Sequence, residues 1–129
     1  MKKIILIILV GISFNSYAVK WVEVHHNDIS IGHFVDFDSV KKKHEFIFYS
    51  TLENIATMGL NSVIKNNKVD CSEEKVIELN VFYFDQPMGK GVSFEEENLS
   101  KEAVYPDQNT AMYKIMKFVC DDGKFFSKK

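Results

Sequence analysis

"KVIELNVFYF", residues 75–84, is the most strand-like run in the chain, dominated by β-branched and aromatic side chains. Strict alternation sets Ile77, Leu79, Val81 and Tyr83 on one face and Val76, Glu78, Asn80, Phe82 and Phe84 on the other. The first face is apolar throughout, which predicts a strand near the centre of a sheet, packed against a second layer. In "EFIFYSTL", residues 45–52, Phe46 and Phe48 point away from Ile47 and Tyr49, so both faces of that strand are expected to be at least partly covered.

Working outward, residues 21–25, 31–37 and 91–95 also read as strands. The intervening "DQPMGKG" carries one proline and two glycines, as a hairpin or short loop does, and lacks the spacing of a phosphate loop. Lys41, Lys42 and Lys43 read as a turn that keeps a hairpin end soluble. Residues 53–70 fit either a short helix or an irregular connection, with Asn66 and Asn67 marking a turn. Further on, Met112, Ile115, Met116 and Val119 recur at i, i+3, i+4 and i+7, the apolar stripe of a helix. Pro106 and Asp107 mark its start and Gly123 its stop. The fold class that follows is α+β: an antiparallel β-sheet with a C-terminal α-helix packed on it.

At the other end, Lys2 and Lys3, an apolar run from Ile4 to Ile12, and small residues at Ser16 and Ala18 make residues 1–18 a secretory signal peptide. The run is shorter than the ~20 residues a membrane-spanning helix needs, so no transmembrane anchor is expected after processing. No cysteine stands at the cleavage point to carry an acyl chain. Residues 19–129 have the length of one domain of roughly 100–150 residues. The expected location is the periplasm or the cell surface of a Gram-negative bacterium.

The whole chain has 16 basic and 18 acidic residues and a net charge of −2, with no arginine, and losing Lys2 and Lys3 moves that charge to −4. A nucleic-acid partner is therefore not expected, since such binding draws on clustered positive charge and arginine forks.

Only two cysteines are present, Cys71 and Cys120. An even number in an exported chain favours a structural disulfide, which Cys120, four residues after Met116 on the helix face, could make with Cys71 ahead of the central strand. Two buried free thiols are the weaker alternative. A reactive or metal-binding thiol is weaker still, because the Cys-x-x-Cys spacing is missing.

Other candidates for chemistry do not combine. Of His25, His26, His33 and His44, adjacent His25 and His26 face opposite ways on a strand, so at most one can join His33 in a metal site. Nothing in the sequence pairs Asp36, Asp38, Asp70 or Asp85 for acid–base work. Ser39 and Ser50 lack nucleophile-elbow glycines. The acidic run from Glu95 to Glu97 reads as a solvated turn. No catalytic residue, metal or cofactor is expected, and the reading is a non-catalytic binding protein. An inhibitor or immunity protein acting in the periplasm on an exported enzyme or toxin is the alternative.

"VKWVEV", "FVDFDSV", "EFIFYSTL", "DC", "VYPDQ" and "FVC", taken in that order, resemble the surface-adhesin protein E-like family from Trp21 to Cys120. The resemblance implies a small exported bacterial domain spanning residues 19–129, with the antiparallel sheet, the C-terminal helix and a Cys71–Cys120 disulfide. It also implies a protein partner, either a host matrix protein or a bacterial envelope protein. No binding residue carries over by position, and contacts are expected at sheet edges, hairpin loops and exposed aromatics. The two-sided strand at residues 46–49 also suits a homodimer.

Overall fold

The structure, a computed structural model, describes residues 19–25 and 32–121. The expected signal peptide, His26 and Gly123 lie outside the described residues. Those described form β1 (Trp21–His25), β2 (His33–Asp36), β3 (Lys41–Lys43), β4 (Phe46–Thr57), β5 (Leu60–Asp70), β6 (Lys75–Gln86), β7 (Lys90–Glu95) and α1 (Ala111–Asp121). All strand pairings are antiparallel, in the order β1-β2-β4-β5-β6-β7, with β3 beside the first half of β4 and β2 beside its second half. The α+β expectation is met, with α1 laid across one face of the sheet.

Residues 53–70 are neither helix nor irregular connection. They complete β4, turn at Met58 and Gly59, and form β5, the strand flanked by the two longest pairings in the sheet. Asn66 and Asn67 lie in mid-strand rather than at a turn. Their amides find cross-strand partners: Ser50 Oγ donates to Asn66 Oδ1 at 2.6 Å, and Asn67 Nδ2 donates to Thr51 Oγ1 at 3.4 Å. Backbone pairing on both sides with such polar partners outweighs the turn preference of asparagine.

A second correction concerns the faces of β6. Asn66 pairs with Asn80 but Asn67 pairs with Glu78, so Leu79 is an extra residue in a β-bulge. The bulge resets the alternation. Val76 and Glu78 share the helix-covered face with Val81 and Tyr83, whereas Ile77 joins Asn80, Phe82 and Phe84 on the outer face. Accordingly Val76 and Val81 are both buried, although they are an odd number of positions apart.

The lysine run is likewise not a turn. Lys41–Lys43 form the exposed edge strand β3, and the turn falls at His44 and Glu45, where His44 adopts φ 59°. Charged residues on an edge strand discourage pairing with a stray strand.

The principal core lies between α1 and the sheet: Ile115, Met116 and Val119 meet Val35, Ile47, Tyr49, Val69 and Val76. Burying each such side chain stabilises the fold by roughly 1.5–3 kcal/mol relative to exposure. The helix starts four residues later than the Pro106–Asp107 signal implies. Thr110 is the N-cap, its Oγ1 accepting from Tyr113 N at 3.2 Å, while Asp107 closes the preceding turn by accepting from Thr110 N and Oγ1. Near its other end, Cys120 bonds Cys71, just after β5, with Cα atoms 5.8 Å apart. The expected disulfide ties the helix to the start of the β5–β6 turn.

On the outer face, Leu52 is buried under the β6–β7 connection, Pro87–Gly89. Ser62 Oγ donates to Gln86 O at 2.6 Å and accepts from Gly89 N at 2.9 Å, while Asn54 Oδ1 accepts from Met88 N at 2.9 Å. A side chain at position 89 would be strained, since the backbone has φ +68° and a Cβ would lie 2.7 Å from Ile64 Cδ1. Folding this loop onto the sheet fixes where β7 begins.

Candidate functional site

With its loop clamped, β7 runs back along β6 and forms the sheet edge, exposed along its whole length. It pairs with β6 from Phe82↔Glu95 to Gln86↔Lys90, and Glu96 N extends the pairing by donating to Val81 O at 2.9 Å. The chain then leaves the edge and returns at Val104, which exchanges two 2.8 Å backbone hydrogen bonds with Val76. Two short segments thus line the same edge of β6.

Large apolar side chains collect along them. Val92 is 74% exposed, Phe94 56%, Val104 41% and Tyr105 66%. Val92 and Phe94 stand toward one end of β6, and Val104 and Tyr105 toward the other. Phe94 is held by the Tyr83 ring at a centroid distance of 5.4 Å, nearly parallel, and Tyr83 Oη donates to Glu96 Oε2 at 3.2 Å. Burial, together with the Glu96 carboxylate, raises the Tyr83 pKa above its ordinary value, so the phenol keeps the proton it donates. Asp85 Oδ1 accepts from Val92 N at 2.8 Å and secures the other end of β7.

The acidic run differs from the solvated turn expected of it. Glu95 belongs to β7 and accepts from Asn80 Nδ2 at 3.0 Å, Glu96 holds Tyr83, and only Glu97 enters the turn. Cross-strand partners recruit the first two. Phe94 was inside a strand legible from the sequence. Val104 and Tyr105 enter the sequence reading only within the motif "VYPDQ" and not as a strand, because a one-residue bridge to Val76 leaves no local periodicity.

The remaining candidate residues are dispersed among strands and turns. Asp36 accepts from Asp38 N at 3.2 Å at the head of a 3-10 turn, and Ser39 Oγ accepts from Ser50 N at 3.2 Å. Asp70 accepts from Ser72 Oγ at 2.7 Å, Ser72 N at 3.1 Å and Glu73 N at 3.3 Å, shaping the β5–β6 turn. His25 stands opposite His33 in the β1–β2 register, and His44 lies at the β3–β4 turn. Among the described residues, no three of His, Cys, Asp and Glu gather as metal ligands. In the two-sided strand, Ile47 and Tyr49 pack under α1, while Phe46 and Phe48 remain on the outer face with Lys68 Nζ 4.7 Å from the Phe46 ring centre.

A second concave feature lies on the helix face. A groove of about 210 Å³ opens between the first turn of α1 and the rows Tyr49–Asn67, Thr51–Lys65 and Glu53–Val63 of the sheet. Nearby, buried Glu78 Oε2 faces Lys65 Nζ at 3.0 Å, an ion pair without the alignment of a hydrogen bond. Burial, with the Glu78 charge as a lesser cause, pushes the Tyr49 phenol far above its ordinary pKa, so it stays neutral.

The family model for surface-adhesin protein E matches residues 21–121. The chain belongs to the surface-adhesin protein E family. Crystal form II of protein E from Haemophilus influenzae superposes with a TM-score of 0.64 at 11% identity, covering 79% of this chain and 87% of that one. A selenomethionine form of H. influenzae protein E gives 0.65 at 12% identity, with 79% and 86% covered. Protein E from non-typeable H. influenzae gives 0.63 at 11% identity, with 81% and 78% covered. At this identity the superpositions speak for a shared protein E fold. Among curated proteins, none matches the sequence. In this chain the sheet has one face under the helix and an edge at β7. No helix among the described residues is long and apolar enough to cross a membrane.

Proposed function

We propose that this chain is an exported, non-catalytic binding protein whose β7 edge takes up an extended segment of a host matrix protein or a bacterial envelope protein. Residues 1–18 are its secretory leader and residues 19–129 its single adhesin-like domain. The observation that carries the reading is the open edge of β7 with Val92 and Phe94 exposed along it, and with Val104 and Tyr105 exposed where the chain returns to the same side of β6. Free backbone groups on such an edge can pair with a partner strand, and the apolar side chains supply contact area that is selective for what lies alongside. Membership of a family of surface adhesins supports the same reading. So does the use of Asp36, Asp70, Asp85, Ser39 and Ser50 in backbone and cross-strand hydrogen bonds that shape turns and strands.

The test is capture. Immobilised, oxidised protein is exposed separately to host matrix proteins and to envelope extract, and bound proteins are identified by mass spectrometry. Phe94→Lys, which removes an exposed anchor and charges the edge, should weaken the stoichiometric interaction by at least about tenfold while leaving the melting transition near wild type. Equal capture by wild type and variant would sink the edge assignment. Failure of the wild type to retain any partner from either source would sink the binding role.

A further inference from the structure

We propose that the groove between α1 and the sheet binds the ammonium head of a small alkylamine. Three acceptors present themselves there. Tyr49 is 3% exposed, lines the groove and makes no hydrogen bond to a described residue. Asn67 is 4% exposed; its Nδ2 is directed to Thr51 Oγ1 and to Lys65 O, which leaves the side-chain oxygen free to accept. Glu53 lines the groove and has no ion-pair partner among the described residues. Lys65, the one lysine on the wall, is turned to Glu78.

The charge balance selects the ligand. Of the charged groups that line the groove, Lys65 is neutralised by Glu78 behind the wall, and Glu53, with His33 opposite it in the β2–β4 register, is the one carboxylate, while a neutral phenol and amide add lone pairs that an ammonium can use. The helix N-terminus opposes a cation, but its partial charge of roughly half a unit is smaller than that of a carboxylate and is partly absorbed by Thr110. Ala111, Met112 and Ile115 form an apolar roof suited to an alkyl stem. At about 210 Å³ the groove is smaller than the roughly 300–1,000 Å³ of sites that hold drug-sized ligands, so the ligand is small. An alkylammonium can be a free amine or the side chain of a lysine, and the two share this chemistry.

The experiment is a titration of oxidised, ¹⁵N-labelled protein with n-pentylamine, followed through its amide shifts. Two isosteres, 1-pentanol and pentanoate, and a lysine blocked at both ends are titrated in parallel. Pentylamine should move amides around residues 49–53, 65–67 and 111–115, and the two isosteres should not. Glu53→Gln, which keeps the shape and removes the charge, should weaken binding by about tenfold, and Tyr49→Phe by a factor of about 3–10. The rest of each variant's spectrum reports whether it is folded. A blocked lysine that binds within about threefold of pentylamine assigns the groove to a lysine side chain of a polypeptide; one that fails assigns it to a free amine. The proposal is overturned if pentylamine moves nothing, if pentanol or pentanoate moves the same amides as strongly, or if Glu53→Gln binds like the wild type. Because Phe94 does not line the groove, Phe94→Lys should leave this titration unchanged, which separates the two readings.

Discussion

A methyl group at Gly91 would collide with the Asp85 carboxylate and stand 2.9 Å from Gln86 Cγ, and the backbone there has φ +85°. The Asp85 to Val92 hydrogen bond is thus available only because residue 91 has no side chain. Asp70 is a second single-residue device. Its carboxylate is held below its ordinary pKa, chiefly by the Ser72 hydroxyl, with the Glu73 and Ser72 amides adding to the effect. A carboxylate whose pKa is lower folded than unfolded stabilises the fold above its unfolded pKa of about 3.9, and that contribution is lost as pH falls through the folded value. Asp70→Asn should therefore lower the urea midpoint at neutral pH and flatten the stability curve below about pH 4. Denaturation series across that range check it, and an unchanged acid limb would show that Asp70 is not responsible.

The disulfide and β5 set the behaviour of whole elements. Cys71 and Cys120 are 49 residues apart, so the bond removes chain entropy worth about 4 kcal/mol from the unfolded state. Replacing both cysteines by serine should lower unfolding free energy by up to that amount, a large share of the roughly 5–15 kcal/mol typical of a domain. Reducing agent should destabilise the wild type similarly and leave the double variant unaffected. As for β5, its "SVIKNNKVD" carries little alternation because Ser62, Asn67 and Asp70 occupy buried positions. Ser62 and Asn67 are satisfied by residues remote in sequence, which no local reading can supply, whereas Asp70 is satisfied by Ser72 two residues on. The Leu79 bulge was illegible for the same kind of reason: it is a mismatch between two strands, and the sequence of one strand does not contain it.

Across the whole molecule, protection should grade from the middle of the sheet to its edge. β5 has hydrogen-bonded neighbours on both sides along nearly all its length, whereas β7 has one neighbour and full exposure. In native-state hydrogen exchange the amides of β5 and the facing parts of β4 and β6 should be slowest, and the outward amides of β7 among the fastest in the sheet. Strong, uniform protection of β7 in solution would show that its edge is covered, by a second copy or otherwise, and would remove it as a free contact surface.

Five strands and the helix were legible in the amino-acid sequence because period-2 and period-3.6 patterns are written by neighbours along the chain: β1, β2, β4, β6 and β7 from alternation or paired apolar faces, α1 from Met112, Ile115, Met116 and Val119. The disulfide was legible because two cysteines leave one pairing. Tertiary structure alone decided the rest. The centre of the sheet passes through a polar strand, the faces of β6 swap at a bulge, Lys41–Lys43 pair as an edge, and Val104 returns to Val76. These features depend on pairings between distant segments, whose free energy resides in partners that no window of sequence contains. The β7 edge and the groove under α1, where contact and ligand are proposed, are both products of that second kind of information.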